Sequence, residues 1–311
     1  MVKIDLITGF LGSGKTTFIK RYAQYLIDKG ENIGILENDF GAVNVDMMLL
    51  QELEGDNCEL EMVSGGCDAD CHRRRFKTKL IAMAMCGYDR VIVEPSGVYD
   101  VDEFFDTLHE EPLDNWYKID NVITLVNAGL EDGLSEGSRY LLASQASVAG
   151  SIILTRMSEA GLERAKDTVA RIKKALVECK CNRDIDDAVI YKETLELNND
   201  DFDIISASGY HMSSYKKTWS QDESGFESVY FLNITLTVQE FKEKTEKVMN
   251  DEKYGNVFRV KGFLHNEDDT WTEVNATRKD MAITPITKGQ EVIIVIGEKL
   301  KKDLIEKLFK E

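Results

Sequence analysis

Gly9-Phe10-Leu11-Gly12-Ser13-Gly14-Lys15-Thr16 is the stretch that decides the fold. It fits G-x-x-x-x-G-K-[ST], a loop whose backbone N–H groups cradle nucleotide phosphates. Such a loop needs a strand before it and a helix after it. Lys3–Thr8 reads as the strand; from Lys15 to Lys29 the apolar Ile19, Tyr22, Ala23 and Leu26 recur at i, i+3, i+4, i+7, with Gly30 placed to end the helix. The glycines let the amides turn inward, and the positive end of the helix dipole faces the same anion. Gly12, Ser13, Gly14, Lys15, Thr16 and Thr17 are therefore the expected phosphate-binding residues. Lys15 is expected to reach the β- and γ-phosphates, and the Thr16 hydroxyl to bind Mg²⁺.

Working outward, further apolar runs follow at Ile33–Leu36, Asp89–Glu94, Val122–Val126 and Ser151–Leu154, separated by stretches of helical period. Strands apolar on both faces and alternating with helices predict an α/β fold, a mostly parallel sheet covered by helices on both faces. The polar, turn-rich segment 209–225 reads as a linker. Beyond it, Tyr230–Leu236, Val257–Leu264, Trp271–Asn275 and Val292–Ile296 read as strands, with helices over Gln239–Asn250 and Leu300–Lys310. The expectation is a nucleotide-binding domain over 1–215 and a smaller α+β domain over 216–311.

A Mg²⁺–nucleotide site also needs an acid at the end of a neighbouring strand. Val91-Ile92-Val93-Glu94 supplies one, followed by Pro95-Ser96-Gly97. Lys15, Thr16 and Glu94 form the expected catalytic set, with Gly97 offering its N–H to the γ-phosphate as switch loops do. No Arg or Gln stands out in the sequence as a water-positioning residue, so intrinsic turnover is expected to be slow. The net charge is −18 over 311 residues, and a surface that acidic repels phosphate backbones and anionic lipid. No apolar run reaches the roughly 18 residues of a membrane span. The expectation is a cytoplasmic protein with neither nucleic-acid nor membrane partners. Six cysteines are too sparse for a disulfide scaffold and read as thiols or metal ligands.

GFLGSGKTT at Gly9–Thr17, Glu37-Asn38-Asp39-Phe40-Gly41 with Asp46, Gly66-Cys67, and Glu94-Pro95-Ser96-Gly97 resemble, in order and spacing, the CobW-type P-loop GTPases related to HypB and UreG. The likeness extends from residue 1 to about 155, and Arg259–Phe263 lies in a region similar to that family's second domain. The resemblance implies a nucleotide-gated metallochaperone or insertase that hands metal to a client metalloprotein or cofactor-assembly protein. It implies that Asn38–Asp46 is one switch, with Asp46 near Mg²⁺, and that Glu94–Asp100 is the other. It also implies that Glu37 lends a carboxylate to the metal site.

The sequence departs from the family pattern in three places, one of which, Val126-Asn127-Ala128 in place of an acid after the strand, is assigned no role. Where the family has C-x-C-C, this chain has Cys67-Asp68-Ala69-Asp70-Cys71-His72, so only Cys67 is in register. Cys67 and Cys71, with His72, Asp70 and Glu37, could form a mixed S/N/O set suited to Zn²⁺, Co²⁺ or Ni²⁺. The family's guanine-reading Asn-Lys-x-Asp is replaced by Thr155-Arg156-Met157-Ser158. Arg156 can stack on a purine, but Ser158 cannot replace a carboxylate, and Glu159 stands one residue late. Ser206-Ala207 resembles the element that caps the guanine O6. GTP is favoured over ATP, with relaxed specificity open. Two other classes stay in view: a nucleotide-dependent interaction module without metal cargo, and a small-molecule kinase. The basic run His72–Lys79 could dock an acidic partner or reach nucleotide phosphate across a homodimer.

Overall fold

The computed structural model describes residues 1–10, 12–39, 49–64, 69–97, 99, 101–212, 226–266, 268–278, 281–286 and 291–310. They fall into two compact units, one within 1–212 and one within 226–310. The boundary expected near residue 215 lies outside the described residues.

The first unit is built on a seven-stranded sheet: β1 (Val2–Gly9), β2 (Ile33–Asp39), β3 (Cys58–Ser64), β4 (Arg90–Pro95), β5 (Tyr117–Asn127), β6 (Ser151–Thr155) and β7 (Val189–Ile190). The order is β3-β2-β4-β1-β5-β6-β7, and every pairing is parallel. Parallel neighbours need crossovers, which here include α1 (Lys15–Asp28), α2 (Ala69–Ala84), α3 (Val101–Leu108), α4 (Glu136–Val148) and α5 (Leu162–Glu178). A further helix, α6 (Asn199–Ile205), follows β7. β4 and β6 are buried along their whole length, as strands covered on both faces must be.

Alternation along the strands sorts side chains to two cores. Ile33 and Ile35 of β2 and Ile92 of β4 pack with Phe18, Ile19 and Tyr22 of α1 and Phe202 of α6. Leu36, Val91 and Val93 pack on the opposite face with Phe76, Leu80 and Met83 of α2 and Phe104 of α3. Each such fully buried aliphatic contributes about 1.5–3 kcal/mol. The α1 stripe predicted from the sequence is the stripe that is buried, and Gly30, at φ 85°, takes the left-handed position just beyond the helix.

In the second unit, β8 (Phe226–Leu232), β9 (Asn256–His265), β10 (Trp271–Thr277), β11 (Met281–Ile286) and β12 (Val292–Glu298) form an antiparallel sheet of order β11-β10-β9-β12-β8. Phe241 and Val248 of α7 (Val238–Asn250) and Ile305 and Phe309 of α8 (Lys302–Lys310) pack with Val260, Leu264, Ile293 and Val295 on one face. α7 opens on a capping box in which Thr237 and Glu240 satisfy each other's backbone amides. The α/β unit and the smaller α+β unit expected from the sequence are both present.

Candidate functional site

The loop between β1 and α1 has the backbone that a phosphate cradle needs. Gly9, Gly12 and Gly14 sit at φ 143°, 82° and 86°. Gly9 is also close-packed: a Cβ there would lie 2.3 Å from the Leu125 carbonyl oxygen and 2.7 Å from Ser13 Oγ. Gly14 caps α1 in the left-handed region with no side-chain cap, and no acid stands in the first turn. The opening amides of α1 are thus left without a side-chain acceptor from the cap, and the helix dipole adds positive potential there. Lys15 is buried, and its Nζ donates to the Gly9 carbonyl at 3.2 Å, folding the ammonium back over the loop. Ser13 is also buried, and its Oγ has no hydrogen-bond partner. Thr16 is half-buried and Thr17 exposed in the first turn.

Two buried acids stand at the same end of the sheet. Glu37 and Glu94 are register partners on β2 and β4. By alternation both lie on the α1 face, since Ile35 and Ile92, two residues earlier on each strand, pack with α1. The opposite face carries a different connection. His72 of α2 is buried, and its Nε2 lies 2.6 Å from Oδ1 of Asn38, while the Asn38 carbonyl accepts from Ser96 N–H at 2.9 Å. Asn38 therefore joins the start of α2 to the turn that carries the buried Gly97.

The profile of the CobW/HypB/UreG nucleotide-binding domain matches residues 3–185, and that of the cobalamin synthesis protein cobW C-terminal domain matches residues 234–311. The chain belongs to the CobW/HypB/UreG family. It is 29% identical over 201 residues to the zinc chaperone YjiA of Escherichia coli, covering 61% of each chain. It is 24% identical over 300 residues to the zinc-regulated GTPase metalloprotein activator 1 of Dictyostelium discoideum, covering 84% of this chain and 62% of that one. The chain thus spans about three fifths of the length of these two relatives. The crystal structure of Zn(II)-bound YjiA GTPase from E. coli aligns over 99% of this chain and 98% of that chain, at 20% identity and a TM-score of 0.43.

Asp46 and Cys67 lie outside the described residues, so the expected roles of both stay with the sequence. Asp70 lies on the first turn of α2, and nothing is described of its side chain. Cys71 is half-buried and lines a groove of about 550 Å³ with Met62, Arg74, Arg75 and Lys79. His72 departs from the expected ligand set: its ring is turned into the core against Asn38, on the opposite sheet face from Glu37. Adjacent helix residues diverge by about 100°, which sends Cys71 to the groove and His72 inward. Among the described residues, no group of three or more His, Cys, Asp or Glu is placed to hold a metal ion. The basic run also divides: Arg73 and Lys77 both pair with Glu110 at 2.7 Å, while Arg74, Arg75 and Lys79 line the groove.

On the base side, Thr155 ends β6 and lies against the phosphate loop; a Cβ on Gly14 would be 3.8 Å from its Cγ2. Arg156 follows in the left-handed region at φ 54°, with its Nη1 3.7 Å from Glu159. Ser206 and Ala207 depart from the expected role. They follow α6, and the Ser206 carbonyl accepts from Asn121 Nδ2 at 3.1 Å. Asn121 is the register partner of Asp5, four residues before Gly9 on β1, so this segment is about 13 Å down the sheet from the phosphate loop. On the side of β6 away from β5 lies β7, and the loop leaving it carries Glu193. Glu193 Oε1 accepts from Arg156 N–H at 3.2 Å and Oε2 from Ser158 N–H at 3.4 Å. Sequence reading missed Glu193 because β7 is only two residues long; the signal was the apolar pair Val189-Ile190 before a polar loop.

Among the described residues, no helix is long and apolar enough to cross a membrane. Cys179 and Cys181 are both buried, and burial pushes the Cys179 thiol up.

Proposed function

We propose that the chain is a Mg²⁺-dependent P-loop GTPase of slow intrinsic turnover that couples nucleotide state to the delivery of a metal, zinc first among the candidates, to a client metalloprotein. The observation that carries the nucleotide half is the phosphate loop: an uncapped α1 N-terminus behind three glycines at positive φ, with Lys15 folded over it. Mg²⁺ fits the donor set, because the carboxylate of Glu94 and the hydroxyl of Thr16 are hard oxygen ligands, and the buried Ser13 hydroxyl of the same loop has no hydrogen-bond partner. When bound there, that ion supplies neutralisation of charge on the β- and γ-phosphate oxygens. The protein's own part is positioning: the amides from Gly12 to Thr17 hold the phosphates, Lys15 places its charge on them, and the Gly97 N–H offers a donor where a γ-phosphate arrives.

The metal half is supported by the relatives, one named a zinc chaperone and the other a zinc-regulated GTPase metalloprotein activator. Here the metal is cargo. Its candidate ligands are Cys67 and Cys71 with Glu37 and Asp70, a thiolate–carboxylate set that suits zinc and, less well, Co²⁺ or Ni²⁺. Coupling is supported by Asn38, which joins α2 through His72 to the Gly97 turn through Ser96.

Three measurements test this. Equilibrium dialysis of the whole protein with Zn²⁺, Co²⁺ or Ni²⁺ should give one bound metal, lost in Cys67→Ala and Cys71→Ala. Zinc affinity should differ between GDP, GTP-analogue and nucleotide-free samples, and by linkage zinc must change nucleotide affinity by the same factor. Equal zinc affinity in all three samples removes the coupling. No binding at micromolar metal favours a nucleotide-dependent interaction module. Triphosphate affinity that survives Lys15→Ala removes the nucleotide site itself.

A further inference from the structure

We propose that Glu193 is the base-specificity residue of this nucleotide site and that guanine is the base it selects; this rests on the nucleotide-binding reading above. The loop leaving β6 lacks a carboxylate at its fourth position, where Ser158 stands, and the next acid, Glu159, is turned toward the Arg156 guanidinium. The neighbouring loop supplies one instead. β6 and β7 are parallel neighbours, so the loops after them leave the same end of the sheet, beside the phosphate loop that Thr155 touches. Glu193 reaches across and holds the amides of Arg156 and Ser158 at 3.2 and 3.4 Å, as well as its own neighbour Thr194 at 3.3 Å. These bonds are at or beyond the long end of the N–H···O range. A carboxylate offers about four acceptor directions, so three loose amides leave room for another donor.

Guanine presents N1–H and the N2 amine side by side, matching the two oxygens of one carboxylate. Adenine presents an acceptor at N1, which a carboxylate meets with repulsion. A site built to pair with a donor discriminates strongly against the analogue that lacks it. Arg156, held at φ 54° on the same loop, carries a planar cation suited to stacking on the purine face. Glu193 thus does from the β7 loop what the missing carboxylate of the β6 loop cannot.

The test is calorimetric titration of the full chain, with Mg²⁺, using GDP, inosine diphosphate and ADP. Inosine keeps N1–H and O6 but lacks the 2-amine. Wild type is expected to bind GDP more tightly than inosine diphosphate, and about 10–100-fold more tightly than ADP, the range for hydrogen bonds to a charged group. In Glu193→Gln the amide nitrogen opposes a guanine donor while the remaining oxygen still caps the loop. The GDP advantage should vanish, with ADP affinity changed by less than about threefold. Glu193→Asp keeps the charge but shortens the reach, and should lower the GDP:ADP ratio without unfolding the loop, as a thermal melt would show. Equal loss for all three nucleotides in both variants would reduce Glu193 to a structural brace. Unchanged ratios, or a wild-type preference for ADP, would also overturn the proposal while leaving the nucleotide site standing. Wild type that binds none of the three would instead sink the nucleotide reading.

Discussion

Glu37 and Glu94 are register partners on adjacent parallel strands, both buried, and both on the sheet face that carries the phosphate-loop helix. Adjacent strands are about 4.8 Å apart. Two buried carboxylates at one end of the sheet are hard oxygen donors suited to a divalent cation. Glu94→Gln should weaken Mg²⁺–triphosphate binding by about 10–100-fold while leaving Mg²⁺-free binding nearly intact. Calorimetry with and without Mg²⁺ reads this directly; an unchanged Mg²⁺ dependence would remove Glu94 from the ion.

Asn38 faces the other side of β2 and meets His72 at 2.6 Å, with its carbonyl on Ser96 N–H. Asn38→Ala leaves a buried imidazole nitrogen without its side-chain acceptor, a cost of about 1–3 kcal/mol. If this contact carries the coupling between metal and nucleotide, the variant should still bind GDP and zinc singly, but zinc affinity should no longer respond to nucleotide. Zinc titrations in the presence of GDP and of a GTP analogue compare the two states. A retained difference between them would mean that the coupling runs elsewhere.

The first unit was legible because its central strands are apolar on both faces and its phosphate loop has fixed chemistry. β3 was not legible: Cys-Glu-Leu-Glu-Met-Val-Ser alternates acids with apolar residues, as an edge strand facing solvent on one side does. β11 was hidden by Pro285, which a strand tolerates at the sheet edge, where β11 lies. In the site, the local motif was readable and the long-range pairings were not. No spacing rule could turn His72 inward, bring Glu193 across 35 residues or more to the amides of Arg156 and Ser158, or send Ser206 to Asn121 in the middle of β5. Those placements follow from strand order, which the sequence does not state.

Gly9 and Gly14 differ in why they are glycine, and alanine should separate them. At Gly14 there is room, since the nearest atom is 3.8 Å away, and the cost is the left-handed backbone alone, about 1–2 kcal/mol. At Gly9 a methyl group meets the Leu125 carbonyl oxygen at 2.3 Å, so β1, β5 or the loop must move. Gly9→Ala is expected to cost more than about 3 kcal/mol, against about 1–2 kcal/mol for Gly14→Ala. Urea denaturation of both variants ranks them, and the reverse ranking would contradict the packing described at Gly9.

Asp5, fully buried in the middle of β1, accepts from Arg90 Nη1 at 2.6 Å, Tyr22 Oη at 2.8 Å, and Asn121 N and Nδ2 at 3.0 and 2.9 Å. Desolvation holds its carboxyl above the usual range, even though the Arg90 guanidinium and the hydrogen bonds pull it down. An acid raised in the folded state binds its proton more tightly there than in the unfolded chain, so its contribution is fully present below the usual carboxylate value and is lost as pH rises through the folded one. Removing Arg90 takes away the largest lowering influence and widens that window upward. Arg90→Ala is therefore expected to cost about 3–5 kcal/mol near neutral pH, the price of an uncompensated buried charge. Its cost should shrink as pH falls from 7 toward 4, because Asp5 can then take up a proton and bury itself neutral. Asp120 and Glu31 also pair with Arg90, at 3.0 and 2.9 Å, and lose the same cation. Urea unfolding of wild type and variant across that pH range gives the difference at each point. A penalty that stays constant or grows on acidification would mean that Asp5 is not the group left exposed to the loss.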